Sequence, residues 1–134
     1  MNAEDNIKVV TTVYEAFGRG DVATILEALS DDVDWAAEAD SSAAPWYGVK
    51  HGKNEVAAFF EAFGSTMEVE EFTPISIAAN DTDVLTVVRH RASARATGRK
   101  ATMNLHHYFK FADGKIVYYR GSEDSAQTAA VLHG

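Results

Sequence analysis

The sequence predicts an α+β domain in which three helices cover one face of a curved, mostly antiparallel sheet, and three observations predict it. Apolar residues recur at helical spacing in the first half of the chain, and after Met67 the period changes to that of strands. Turn signals at Asn80-Asp81, Thr97-Gly98 and Asp113-Gly114 then divide the second half into about four strands joined by hairpins. Helices first and strands afterwards is the order of α+β folds rather than of alternating α/β folds. With 134 residues, 46% of them hydrophobic, the chain suits one domain spanning residues 1–134 around one core.

Residues 4–18 carry Ile7, Val10, Tyr14 and Phe17, widened by Val9 and Val13, and form the first predicted helix. Gly18-Arg19-Gly20 breaks it, and Asp21 is placed to cap a second helix over 21–29 with the stripe Val22, Ile25, Leu26 and Leu29. Val33, Trp35 and Ala37 alternate as one short strand. The loop Ser41 to Gly48 has turn composition, yet Trp46 and Tyr47 are costly to leave in water, so it is expected to fold back as a lid. Residues 53–64 read as a third helix burying Val56, Phe59, Phe60 and Phe63, with Gly64 as its stop. The last few residues read as a loose tail.

The turns set a register for the later strands. A two-residue loop at Asp113-Gly114 pairs Phe111 with Ile116, Phe109 with Tyr118 and His107 with Arg120. A two-residue loop at Thr97-Gly98 pairs Val84 with Phe111, Val88 with His107 and His90 with Leu105. Alternation then gathers Val84, Val88, Leu105, Phe109, Phe111 and Tyr118 on the face the helices cover. His90, His107 and Arg120 fall on that same face. Burying such groups without partners costs several kcal/mol, so they are expected to be paired, hydrated or open to a cavity, as the floor of a pocket. The alternative for each histidine is a hydrogen-bonded core residue, and for Arg120 a side chain reaching water or pairing with Glu123 or Asp124. The opposite face, with Arg89, Arg91, Tyr108 and Tyr119, has the composition of an interface, so a homodimer through the outer sheet face is expected.

Composition removes several functions. The net charge of −8 repels phosphate backbones, so nucleic acid is not an expected partner. No run of about 18 apolar residues is present for a membrane span, and Met1-Asn2-Ala3-Glu4-Asp5 lacks the basic and apolar regions of a secretory signal; a cytoplasmic location is the expectation. The absence of cysteine excludes disulfides, thiolate metal sites and a cysteine nucleophile. Adjacent His106 and His107 would point to opposite faces of a strand, so no metal is expected. No phosphate loop or Gly-x-Ser-x-Gly elbow occurs, and no cofactor is expected. What remains is acid–base chemistry by His107, His90, Glu38, Glu123 or Asp124.

The order of motifs resembles the SnoaL-like, ketosteroid-isomerase-related branch of the NTF2-like superfamily over nearly the whole chain. The residues that carry the resemblance are Val13-Tyr14-Glu15-Ala16-Phe17 with Gly20-Asp21, Asp31-Asp32-Val33-Asp34-Trp35, and Tyr47-Gly48-Val49-Lys50-His51-Gly52 before Phe59-Phe60. His107-Tyr108-Phe109-Lys110-Phe111 with Asp113-Gly114-Lys115-Ile116 completes it. The resemblance implies a cone-shaped α+β barrel with a hydrophobic pocket and frequent dimers, among isomerases, polyketide cyclases, epoxide hydrolases and binders. His107 matches the pocket histidine of SnoaL-like cyclases, whose essential aspartate falls on Gly121, with Asp124 nearby. Against ketosteroid isomerases, Tyr14 lies one residue from the oxyanion tyrosine, and the base aspartate falls on Ala37, beside Glu38. The resulting expectation is a cofactor-independent isomerase, cyclase or hydrolase acting on a small hydrophobic carbonyl or ring compound. Its catalytic residues would be His107, Arg120, Asp124 and Glu38. Trp35, Trp46, Phe59, Phe63, His90, Phe109, Tyr118 and Tyr14 would bind the substrate. The alternative is a non-catalytic small-molecule carrier of the same fold. A carboxylate within hydrogen-bond reach of His107 would favour catalysis, and its absence would favour binding.

Overall fold

The computed structural model describes residues 2–40 and 42–133; Met1, Gly134 and Ser41 of the predicted lid loop lie outside the described residues. Helices α1 (Ala3–Gly18) and α2 (Val22–Glu27) open the chain, followed by strands β1 (Leu29–Ala37) and β2 (Gly48–His51) and helix α3 (Gly52–Thr66). Strands β3 (Met67–Ala79), β4 (Asp83–Ala94), β5 (Lys100–Ala112) and β6 (Lys115–Ser122) and helix α4 (Ser125–His133) complete it. The six strands form one sheet in the order β2-β1-β6-β5-β4-β3, antiparallel except for the parallel β1–β6 pair. The sheet is open, with β2 and β3 at its edges, rather than a closed barrel.

The predicted helices are present with shifted ends. Asn2 caps α1 in a reciprocal capping box with Asp5. Asp21 caps α2 as expected, accepting the Thr24 amide at 3.1 Å and the Thr24 hydroxyl at 2.6 Å. Leu29 is not the end of that helix but the start of β1, which is longer than the short strand expected. Helix α3 runs past Gly64 to Thr66. The expected loose tail is instead helix α4, capped by Asp124, which accepts the Gln127 amide at 3.0 Å. Gln127 in turn holds both the N–H and the C=O of Thr102 on β5.

Register departs from the expectation at two places. The β4–β5 connection is a four-residue loop, Arg95–Gly98, closed between Ala94 and Arg99, so Val84 pairs with Phe109, Val88 with Leu105 and His90 with Met103. That shift of two keeps every side chain on its predicted face. The β5–β6 hairpin is different. Its turn is as expected, with Asp113 at φ 50° and Gly114 at φ 79°, the signature of a type I′ turn, and Phe111 pairs with Ile116. A bulge follows, and Lys110 pairs with Tyr118, Phe109 with Tyr119, Tyr108 with Arg120 and His107 with Gly121. One extra residue reverses the facing of everything after it.

The reversal has a physical cause on both sides of the sheet. Inside, Tyr119 is buried and stacks on Trp35 at 4.0 Å, the residue it pairs with across the parallel β1–β6 contact. Outside, Arg120 forms an ion pair with Asp34 at 2.9 Å and lies 4.3 Å over the Tyr118 ring. Strict alternation would instead have put the guanidinium beneath the helices and the Tyr119 ring in solvent. Tyr119 therefore does not belong to the outer face, where Arg89, Arg91 and Tyr108 lie.

Candidate small-molecule site

The inner face of the sheet and the helices above it leave a cavity of about 80 Å³. From α1 come Val13, Tyr14 and Phe17; from α3, Phe59, Phe60 and Phe63. The sheet contributes Trp35, Phe72, His90, His107, Phe109 and Tyr119. Trp46 closes one side as the lid loop was expected to do, 2% exposed and edge-on to Phe63 at 5.0 Å. The exposed Ser122 and half-buried Glu123 form part of its rim. A depression of about 450 Å³ on the outer face is larger but is bounded by Leu85, Val87, His106, Tyr108 and Tyr118, with no helical residue lining it among the described residues. We take the inner cavity as the site because, among the described residues, it alone combines an apolar enclosure with convergent polar groups.

A buried hydrogen-bond chain fixes the polar floor. The Tyr14 hydroxyl sits between Thr86 Oγ1 at 2.6 Å and His107 Nδ1 at 2.7 Å, tying α1 to β4 and β5. Alternation along β4 carries Thr86, like His90, to this face. Burial, with a smaller contribution from the neighbouring imidazoles of His90 and His106, pushes the His107 pKa down to about 3, so the imidazole is neutral at pH 7. Burial also lowers the His90 pKa, with the Glu71 backbone partly opposing it, and leaves His90 Nδ1 without a hydrogen-bond partner among the described residues. Burial raises the Tyr14 and Tyr119 pKa values, so both phenols keep their protons. All four are hydrogen-bonding groups without net charge.

The structure brings Tyr14, His90 and His107 together with Trp35, Trp46, Phe59, Phe63 and Phe109, as expected. It separates three of the four expected catalytic groups from the cavity. Arg120 and Tyr118 are on the outer face because of the bulge in β6. Glu38 is exposed and borders the outer depression, since it follows the inward Ala37 by one residue. Asp124 is spent on capping α4. The carboxylate that does reach the cavity is Glu123, whose Oε2 accepts the Tyr47 hydroxyl and the Thr128 hydroxyl, each at 2.7 Å. Among the described residues, His107 has Tyr14 and no carboxylate as hydrogen-bond partner.

The aromatic residues of the lining not anticipated as site residues are Phe17, Phe60, Phe72 and Tyr119. Phe17 and Phe60 sat on recognised apolar stripes. Phe72 lies between two register shifts in β3, and Tyr119 depends on the bulge. Gly121, where the cyclase aspartate was expected, has no room for a side chain: a Cβ there would collide with the Tyr119 hydroxyl and lie 3.3 Å from His107 Cδ2.

None of the curated proteins matches the chain in sequence. Among solved structures, it is similar to an NTF2-like protein of unknown function from Burkholderia pseudomallei K96243, with 28% identity and a TM-score of 0.89 over 97% of this chain and 98% of that one. It also shares its fold with TerC co-crystallized with polyporic acid, at 19% identity and a TM-score of 0.84, covering 97% of this chain and 99% of that one. An M. tuberculosis LEH-like epoxide hydrolase has the same fold at 18% identity and a TM-score of 0.75, over 97% of this chain and 90% of that one. The family model described as SnoaL-like domain matches residues 10–119, most of the chain and the cavity lining from Val13 to Tyr119, and the chain belongs to that family.

Proposed function

We propose that this protein binds a small hydrophobic molecule in the inner cavity and holds it chiefly by aromatic contact. The supporting observation is the convergence of aromatic rings from two helices, the sheet and the lid loop on one cavity whose floor is a neutral, pre-bonded His107 with no carboxylate beside it. Pockets of this composition bind by apolar burial and are oriented by a few polar atoms. The chain's two tryptophans, Trp35 and Trp46, both line the cavity, so their emission reports occupancy directly. Titration with small neutral aromatic compounds should change that emission saturably, and Ala37→Phe, which fills the cavity from the inward side of β1, should abolish the change. No saturable response to any such compound in the wild type would sink the reading.

A second reading is acid–base catalysis, and the position of Glu123 favours it. Its carboxylate borders the cavity with Oε2 held by Tyr47 and Thr128, an orientation suited to a base acting on a ring compound below the lid. The proton α to a bound ketone's carbonyl would pass to the carboxylate and return to carbon. In deuterium oxide this predicts protein-dependent exchange of that proton, seen by NMR and lost in Glu123→Gln. Exchange no faster than in buffer leaves the binding reading standing alone.

A further inference from the structure

Three polar groups at the cavity stand outside the hydrogen-bond chain on its floor, in which the Tyr14 hydroxyl is already shared between Thr86 and His107. Two of them, His90 Nδ1 and Trp35 Nε1, are sealed by their surroundings and out of a ligand's reach. The third is the hydroxyl of Tyr119. Its residue is 6% exposed and lines the cavity, and the hydroxyl has no hydrogen-bond partner among the described residues. It lies over Gly121, in the space a side chain at that position would occupy, and its ring meets that of His107 edge-on at 5.2 Å. The ring is held there by its stack on Trp35 at 4.0 Å and by Phe109 at 5.0 Å. Among the described residues the cavity lining contains no lysine or arginine, and its one charged side chain is the Glu123 carboxylate at the rim.

Resting on the binding reading above, we infer that Tyr119 is the specificity-determining residue of the cavity, donating its O–H to the oxygen of an uncharged ring carbonyl compound such as an aryl ketone. A ligand that fills the cavity cuts this donor off from water; a ligand acceptor replaces the lost hydrogen bond, whereas a hydrocarbon of the same shape leaves it unpaired. An anionic ligand would meet no cation inside and a carboxylate at the entrance. Gly121 is part of the device because only the absence of a Cβ lets the hydroxyl occupy its place.

The test uses acetophenone, its near-isostere α-methylstyrene, and benzoate, with dissociation constants read from tryptophan emission. In Tyr119→Phe the preference for acetophenone over α-methylstyrene should fall about 3- to 10-fold, the value of one net hydrogen bond. Affinity for α-methylstyrene should stay within about 2-fold, since the ring remains. Gly121→Ala, which keeps the hydroxyl but displaces it, should reproduce the lost preference. Benzoate should bind the wild type at least about 10-fold more weakly than acetophenone. An unchanged preference in Tyr119→Phe, with α-methylstyrene still bound, overturns the role of Tyr119 and leaves the binding reading intact. Benzoate binding as well as acetophenone overturns the uncharged class. Failure of the wild type to bind any of the three overturns both.

Discussion

The two faces of the β4–β5–β6 meander are built from the same strands and handle polar groups in opposite ways. On the inner face His90, His107 and Tyr119, with Tyr14 of α1 packed against them, are all uncharged, two of the four because burial holds their pKa values down and two because burial holds theirs up. On the outer face charged side chains pair with opposite charges or with aromatic rings: Arg120 with Asp34, Arg91 with Glu70 and Glu71, and Lys110 over the rings of Tyr108 and Tyr118. The sheet thus sorts groups by the cost of desolvating their charge, and in β6 the sorting is done by one bulge rather than by composition.

The most severe test of this sorting exchanges two neighbours, Tyr119→Arg with Arg120→Tyr, so that composition is unchanged and only the faces are swapped. Val117 is the residue the bulge absorbs, between Ile116, which still follows the hairpin register, and Tyr118, which no longer does. With the bulge in place, the exchange puts a guanidinium beneath the helices against Trp35 and a phenol where the ion pair with Asp34 was. The loss combines a buried unpaired cation with a lost aromatic stack, so about 4 kcal/mol or more of stability should disappear. Urea unfolding monitored by tryptophan emission would measure it. Arg120→Ala alone is the control and should cost only about 1 kcal/mol, as expected for a partly exposed pair. An exchanged chain as stable as the wild type would show that β6 can slide out its bulge, and that the bulge does not fix which face each group takes.

The helices α1 and α3, the type I′ turn and the facing of β4 and β5 could be read from the sequence because each rests on local signals: periodicity, a cap, and a two-residue loop. The alternation of Phe109, Lys110 and Phe111 alone fixes β5, since turning Lys110 inward would bury an unpaired ammonium. The facing of β6 could not be read, because it depends on Trp35 and Asp34 in β1, a strand distant in sequence. Helix α4 was hidden for a different reason: its Ala-rich stretch has no broad apolar stripe, and its anchors are the polar contacts of Thr128 with Glu123 and of Gln127 with Thr102. The cap-forming Asp124 ahead of that Ala-rich run was the available signal. At the site, the aromatic walls and His107 follow from alternation, but the bond from Tyr14 to Thr86 and His107 joins three elements and needs the tertiary structure.

A milder perturbation separates the two faces through pH. In the unfolded chain a histidine titrates near pH 6.5, whereas in the folded protein burial lowers the His107 pKa to about 3. Above about pH 6.5 both states are neutral there and the stability is complete. As pH falls from about 6.5 toward 3, the unfolded chain takes up a proton that the folded one refuses, so stability drops by up to about 1.4 kcal/mol per pH unit. His90, also lowered by burial, acts in the same direction. Urea unfolding between pH 7.5 and 5 should therefore show falling stability in the wild type and a shallower fall in His107→Gln, before most carboxylates protonate. The outer-face variant Arg120→Ala should keep the wild-type slope, since it leaves both buried histidines in place. Equal slopes for the wild type and His107→Gln would mean that His107 carries its proton in the folded state, and the inner face would then not be the uncharged one.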